Sequence, residues 1–316
     1  MLIVCLLIEM MLYGFSRGAL LRAWLFVLIG VCVGLSSAQA RAGTTPKSKA
    51  KAWVGPRHAV FGQELVWTIV DVHSRDLRRV RFAPEFNPTS VAITPDGQWL
   101  VFTSYDPSVQ NTLLFKWDGL PTSKPMRIGD ERGYHAEVAV SHDGKKAYFA
   151  HHPLAGGPPG QHEMKASAQL YEVGLDGSNL RALTSGQGCH IGPTSPHAGR
   201  LFFVHTPCDG RRFLSVVELS SGKVVDHPVS EWRVGEVSLS PDGRRLLLTS
   251  TGSDRTRIIE MDVSSRKASV LLEVEHDSST LKPQYGIDST QILFQNQGAI
   301  WLVQGGRTTK LASLQE

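Results

Sequence analysis

The sequence predicts an all-β chain folded as a six-bladed β-propeller of four-stranded antiparallel blades. Three observations carry this expectation. A short hairpin sentence recurs as "VAITPDGQWLVFTS" at 91–104, "VAVSHDGKKAYFAH" at 138–151 and "VSLSPDGRRLLLTS" at 237–250. Its turn glycines, Gly97, Gly144 and Gly243, together with Gly199 of the degenerate copy "SPHAG", stand 47, 55 and 44 residues apart. A second kind of hairpin, from residues 65, 113, 169, 213, 257 and 300, fills the intervals six times.

The first hairpin reads as two strands around a turn. Val91 and Ile93 alternate with Ala92 and Thr94, "PDG" turns the chain, and Leu100 and Phe102 alternate again. Alternation at period two marks a strand with one face buried, and Pro-Asp-Gly supplies the turn. A degenerate fifth copy, "YGIDSTQILFQ", begins at Tyr285, whereas the second hairpin at 65 precedes any complete first one. Four short strands every 40–50 residues, without helical periodicity, define stacked blades in a closed ring. Trp67, Phe115, Trp117, Tyr171 and Trp301 recur on second hairpins, where packing between blades accounts for them.

The head of the chain is different. Arg17 and Arg22 precede 13 apolar residues from Ala23 to Leu35, followed by "SSAQA" and Arg41. This pattern predicts a cleavable secretory signal over 1–40, a flexible leader over 41–51 and a propeller domain over 52–316. An uncleaved anchor is the alternative, because Met1 to Tyr13 is also apolar; translation from Met10 or Met11 would remove that stretch. Cleavage leaves no transmembrane segment and places the chain in the periplasm or outside the cell. Val31 is bulky where lipidation of Cys32 would want a small residue. "GFSRG" at 14–18 fits a serine-hydrolase elbow but falls inside the signal, without the strand and helix the motif needs. A net charge of +4 with no Lys/Arg cluster gives no sign of a nucleic-acid partner, and none is expected.

The repeated strand ending S/T-P/H-D-G, followed by a strand rich in Leu, Val and Phe, resembles the TolB-type WD40-like (PD40) propeller family from about residue 53 onward. The resemblance implies a fold that hosts binding modules and enzymes alike. TolB itself has an α/β domain between signal and propeller, where this chain has only a leader. The partnership of TolB with a peptidoglycan-associated lipoprotein is therefore not implied. Prolyl-oligopeptidase-like peptidases join such a propeller to a hydrolase domain, for which the sequence leaves no room after Leu314.

Hairpin symmetry places the remaining candidates. Cys189 and Cys208 are centred on the Ala198–Gly199 turn, so they are expected to face one another and form a disulfide in an oxidising compartment. His135 and His190 each lie nine residues before a turn glycine, and His152 mirrors His135 about its turn. His151 is adjacent to His152, and His162 follows in the insertion "HPLAGGPPGQHEMKAS". The expectation is one channel rim bearing His135, His151, His152, His162, His190 and the cystine, with Gln284 at the start of the last blade. Such a rim admits a divalent metal on His135, His152 and His190. It is similar to the oligogalacturonate lyases, propellers that hold a metal with channel histidines and a glutamine.

No catalytic motif is present outside the signal. The leading expectation is a monomeric, non-catalytic binding or scaffold protein, without a cofactor, that engages a protein or cell-envelope component through this histidine-bearing face. The alternative is a metal-dependent lyase or hydrolase working in the channel.

Overall fold

The computed structural model describes residues 58–106, 111–129, 133–153, 167–207, 209–229, 233–252, 255–275, 281–286 and 289–314. The expected signal and leader, His162 and Cys208 lie outside these residues. The described residues contain strands and no helix, so none is long and apolar enough to cross a membrane.

Six antiparallel sheets follow one another along the chain. Blade 1 comprises β1 (His58–Gln63), β2 (Val66–Asp71) and β3 (Leu77–Arg81). Blade 2 comprises β4 (Pro88–Ile93), β5 (Leu100–Asp106), β6 (Asn111–Trp117) and β7 (Met126–Arg127). Blade 3 comprises β8 (Gly133–Val140), β9 (Lys146–Pro153), β10 (Gln169–Gly174) and β11 (Arg181–Ala182). Blade 4 comprises β12 (Cys189–Ile191), β13 (Arg200–Thr206), β14 (Phe213–Glu218) and β15 (Val224–Pro228). Blade 5 comprises β16 (Val234–Leu239), β17 (Arg245–Thr251), β18 (Arg255–Asp262) and β19 (Ala268–Glu275). Blade 6 comprises β20 (Gln284–Tyr285), β21 (Gln291–Asn296), β22 (Ala299–Gln304) and β23 (Arg307–Ser313). Every sheet is a meander, each strand pairing with the next in sequence. Blade 1 is described from its second strand onward, in keeping with the missing first hairpin in the sequence.

Six apolar clusters hold the ring together, one at each seam between neighbouring sheets. The seam of blades 1 and 2 gathers Trp67, Phe82, Phe102 and Trp117. There, Phe82 lies edge-on to Phe102 at 4.8 Å, while Phe102 stacks on Phe115 at 5.4 Å. The closing seam brings Leu293, Ile300 and Leu302 of blade 6 against Ala59, Phe61 and Val70 of blade 1. This closure changes one expectation. Leu100 through Ser104 of β5 are all buried, and so are Leu246 through Ser250 of β17. The second strand is covered on both faces by adjacent blades, so alternation of burial disappears there. It is the outer strands that face solvent: both residues of β7 and of β11 are exposed.

The turns explain the repeated spelling. The hydroxyl of the Ser or Thr before each turn donates to the Asp two residues on: Thr94 to Asp96 at 2.6 Å, Ser141 to Asp143 at 2.5 Å and Ser240 to Asp242 at 2.6 Å. The same Asp accepts the N–H of Gln98, Lys145 or Arg244, and the hydroxyl oxygen accepts that of Trp99, Lys146 or Arg245. Glycine follows because φ there is positive, +70° at both Gly97 and Gly243. At Gly243 a side chain would also collide with the His197 ring of the neighbouring turn. Ser240→Ala is expected to cost about 1 kcal/mol through the lost turn bonds. Phe102→Ala should cost roughly 3–5 kcal/mol through a cavity in the aromatic seam. Urea titration of the two variants measures both, and similar losses would contradict this division of labour.

Candidate functional site

The inner strands enclose a central channel with a cavity of about 480 Å³, lined from all six blades. Its chemistry arises from local departures from regular strand. The register between first and second strands slips at Thr89 in blade 2, at Glu137 in blade 3 and at Gly235–Glu236 in blade 5. Such bulges re-aim a side chain and are common beside functional sites. Each has its own support. Thr89 Oγ1 lies 2.8 Å from Thr103 Oγ1, and the Glu236 N–H donates to Thr249 Oγ1 at 2.7 Å. Gly235 is required there because a Cβ would come within 2.8 Å of that same hydroxyl. Glu137 adopts φ +47°, a left-handed conformation that a non-glycine residue holds only when its surroundings enforce it.

These bulges bring Glu137 and Glu236 to the channel wall, together with Lys282 from the approach to blade 6. Glu137 accepts the Gly192 N–H across the seam to blade 4, and Ser90 Oγ accepts the Val138 N–H at 3.0 Å across the seam to blade 2. Lys282 Nζ lies 5.4 Å from the centre of the Trp67 ring, a cation–π contact. Burial, and then the charge of Glu236, push the Glu137 carboxyl up to about 7, against the Gly192 N–H, Lys282 and Arg212. Burial likewise raises Glu236, opposed by Lys282. Burial thus holds both channel carboxyls toward the protonated form, with Lys282 opposing it at each.

Gln284 lines this cavity, and its Nε2 donates to the Val60 carbonyl at 3.1 Å on the channel edge of β1. The histidines sit elsewhere. His135 and His151 form a cross-strand pair, both buried, with Nδ1 atoms 3.3 Å apart. His135 stacks on Phe149 at 4.9 Å. The bulge at Glu137 shifts the ladder by one residue, so the mirror partner of His135 is His151, and His152 falls opposite Tyr134. His190 pairs with His205 in the same way in blade 4 and contacts Thr184 Oγ1 at 2.7 Å. His205 in turn lies 3.1 Å from Asp226. The ladder there also departs from the turn-centred symmetry, placing Thr206 opposite Cys189. None of His135, His151, His152 and His190 is among the residues lining the channel cavity. Among the described residues no three His, Cys, Asp or Glu side chains converge as a metal set.

Sequence reasoning missed Glu137, Glu236, Lys282 and His205. A signal was present for the carboxylates: counting seven residues back from each turn glycine gives Ser90, Glu137, Gly192 and Glu236, a varied position inside a uniform frame.

No family profile and no curated protein sequence matches the chain. Solved structures do. TolB from Acinetobacter baumannii aligns with TM-score 0.59 and 16% identity over 78% of this chain and 59% of its own. The protein described as TolB from Agrobacterium tumefaciens aligns with TM-score 0.61 and 15% identity over 80% of this chain and 90% of its own. In fold, this chain is TolB-like. A structure of a nidogen/laminin complex matches as well, with TM-score 0.59 and 12% identity over 80% of this chain and 91% of that one. At these identities the likeness establishes the propeller and nothing finer.

Two titrations test the site with opposite signs. The folded pKa of Glu137 stands above its unfolded value, so the folded state holds that proton more tightly. The resulting stability is full below about pH 4.5 and is lost as pH rises through about 7. Glu137→Gln should therefore be more stable than the parent above pH 7, by on the order of 2 kcal/mol, with the difference fading toward pH 4.5. Thermal melts across that range measure it; a constant difference would contradict the pairing. Burial first, then neighbouring charge, lowers His135 to about 3 and His151 and His190 to about 4. Their stability is complete above about pH 6.5 and is lost as pH falls toward those values. Acid unfolding of His135→Gln/His190→Gln should begin at lower pH than that of the parent, provided both fold at pH 7.

Proposed function

We propose that the protein is an exported, TolB-like propeller that binds a protein or cell-envelope component through its central channel, serving as a scaffold without catalysis of its own. The observation that supports this reading is the channel wall itself. Glu137 and Glu236 are crowded together, and Lys282 makes no ion pair with either among the described residues. A purely structural interior places buried charges in closed pairs. A binding site leaves them for a ligand, at some cost in stability. The expected partner presents an ammonium or guanidinium group on a segment narrow enough to enter. The same reading takes residues 1–40 as the export signal, the periplasm or exterior as the location, and Cys189–Cys208 as a disulfide formed there.

A crosslinking pulldown from native envelope tests it. The parent should enrich a defined partner, Glu137→Gln/Glu236→Gln should reduce that capture at least tenfold, and Gln98→Ala/Lys145→Ala/Arg244→Ala on the turn face should not. Capture lost by the turn-face variant and retained by the channel variant would place the working surface on the other side.

A further inference from the structure

A second cavity, of about 260 Å³, opens between blades 4 and 5. Side-chain size at this seam differs from that at the first seam of the ring. In blade 2, Trp117 stands opposite Leu100 across the ladder and fills the seam toward blade 1. The equivalent pair in blade 5 is Met261 opposite Leu246. Where the first seam has an indole, this seam has a slim thioether, and the space left is walled by Phe202, Val216, Leu246 and Met261.

Two arginines and a histidine stand at this cavity. Arg200 follows the turn of blade 4, Arg266 sits in the β18–β19 turn with φ +59°, and His227 lies on β15. Among the described residues neither guanidinium forms an ion pair. Arg200 faces Glu218 across the ladder without bonding to it, and the Glu218 carboxylate takes the Ser221 hydroxyl at 3.2 Å instead. Asp226, beside His227, engages Ser215 at 2.6 Å and His205 at 3.1 Å, occupying its carboxylate away from the mouth. An apolar chamber with convergent polar groups at its entrance is the usual form of a small-molecule site.

We propose that this cavity binds a single-chain aliphatic carboxylate, its chain among Phe202, Val216, Leu246 and Met261 and its head between Arg200 and Arg266. The volume suits roughly ten non-hydrogen atoms, the size of octanoate. The planar guanidinium fork is the side chain best matched to a carboxylate. This site is separate from the channel and does not depend on the function proposed for it.

Isothermal titration of the full chain with octanoate tests the assignment. One saturable site is expected, with octan-1-ol binding at least tenfold more weakly for want of the charge. Arg200→Gln/Arg266→Gln, both at the surface, should weaken octanoate at least tenfold while leaving the melting temperature unchanged. Met261→Trp restores the ring that blade 2 carries; it should abolish binding with a melting temperature no lower than the parent. Glu137→Gln should bind octanoate as the parent does. Absence of saturation with octanoate, or undiminished binding in the arginine variant, would overturn the proposal.

Discussion

Each blade hides both faces of its second strand against its neighbours, and every other feature of the molecule depends on that burial. A single four-stranded sheet of this composition has no means of covering two apolar faces, so the sheets must stack, and stacking must close. Closure is what brings Leu293 and Ile300 against Phe61 and Val70, residues more than two hundred positions apart. It is also what creates the channel, because six inner edges must converge without room for a seventh layer. The polar chemistry inside the ring is therefore a by-product of apolar stacking outside it.

This separation of tasks decides how much the sequence could disclose. The turn lock needs particular residues at fixed spacing, so Ser240, Asp242 and Gly243 announce themselves, as do their counterparts in blades 2 and 3. Blade number followed from counting the second hairpins. The ladder around the histidines did not follow, because counting outward from a turn assumes a regular ladder. One extra residue at Glu137 moved His135 from His152 to His151, and nothing in the spelling of "HAEVAV" marks the bulge. The meeting of Glu137, Glu236 and Lys282 was hidden for a different reason. They come from three blades, and only ring closure makes them neighbours.

The two cavities illustrate how a uniform scaffold acquires individuality. Along the channel it comes from backbone irregularity, where bulges turn side chains inward. Between blades 4 and 5 it accompanies a difference in side-chain volume, with Met261 in the place that Trp117 takes in blade 2. Neither requires any change in strand order or turn chemistry, so both can vary while the six seams stay intact.

The paired histidines carry a consequence of their own. In blade 3, Gly133 lies where a methyl group would strike the His151 ring; in blade 4, Gly188 lies where one would come within 2.9 Å of His205 Nε2. Each glycine is hemmed in twice, by an imidazole and by backbone: a Cβ would also come within 2.6 Å of the His152 carbonyl oxygen in blade 3 and 2.9 Å of the Thr206 carbonyl oxygen in blade 4. Replacing the glycine alone forces a clash, and replacing the histidine alone leaves a hollow. Exchanging both does not release the constraint, because the carbonyl oxygens of His152 and Thr206 stay where they are. The start of each inner strand is therefore pinned by the main chain of its neighbour, and it stays glycine even where the imidazole is exchanged.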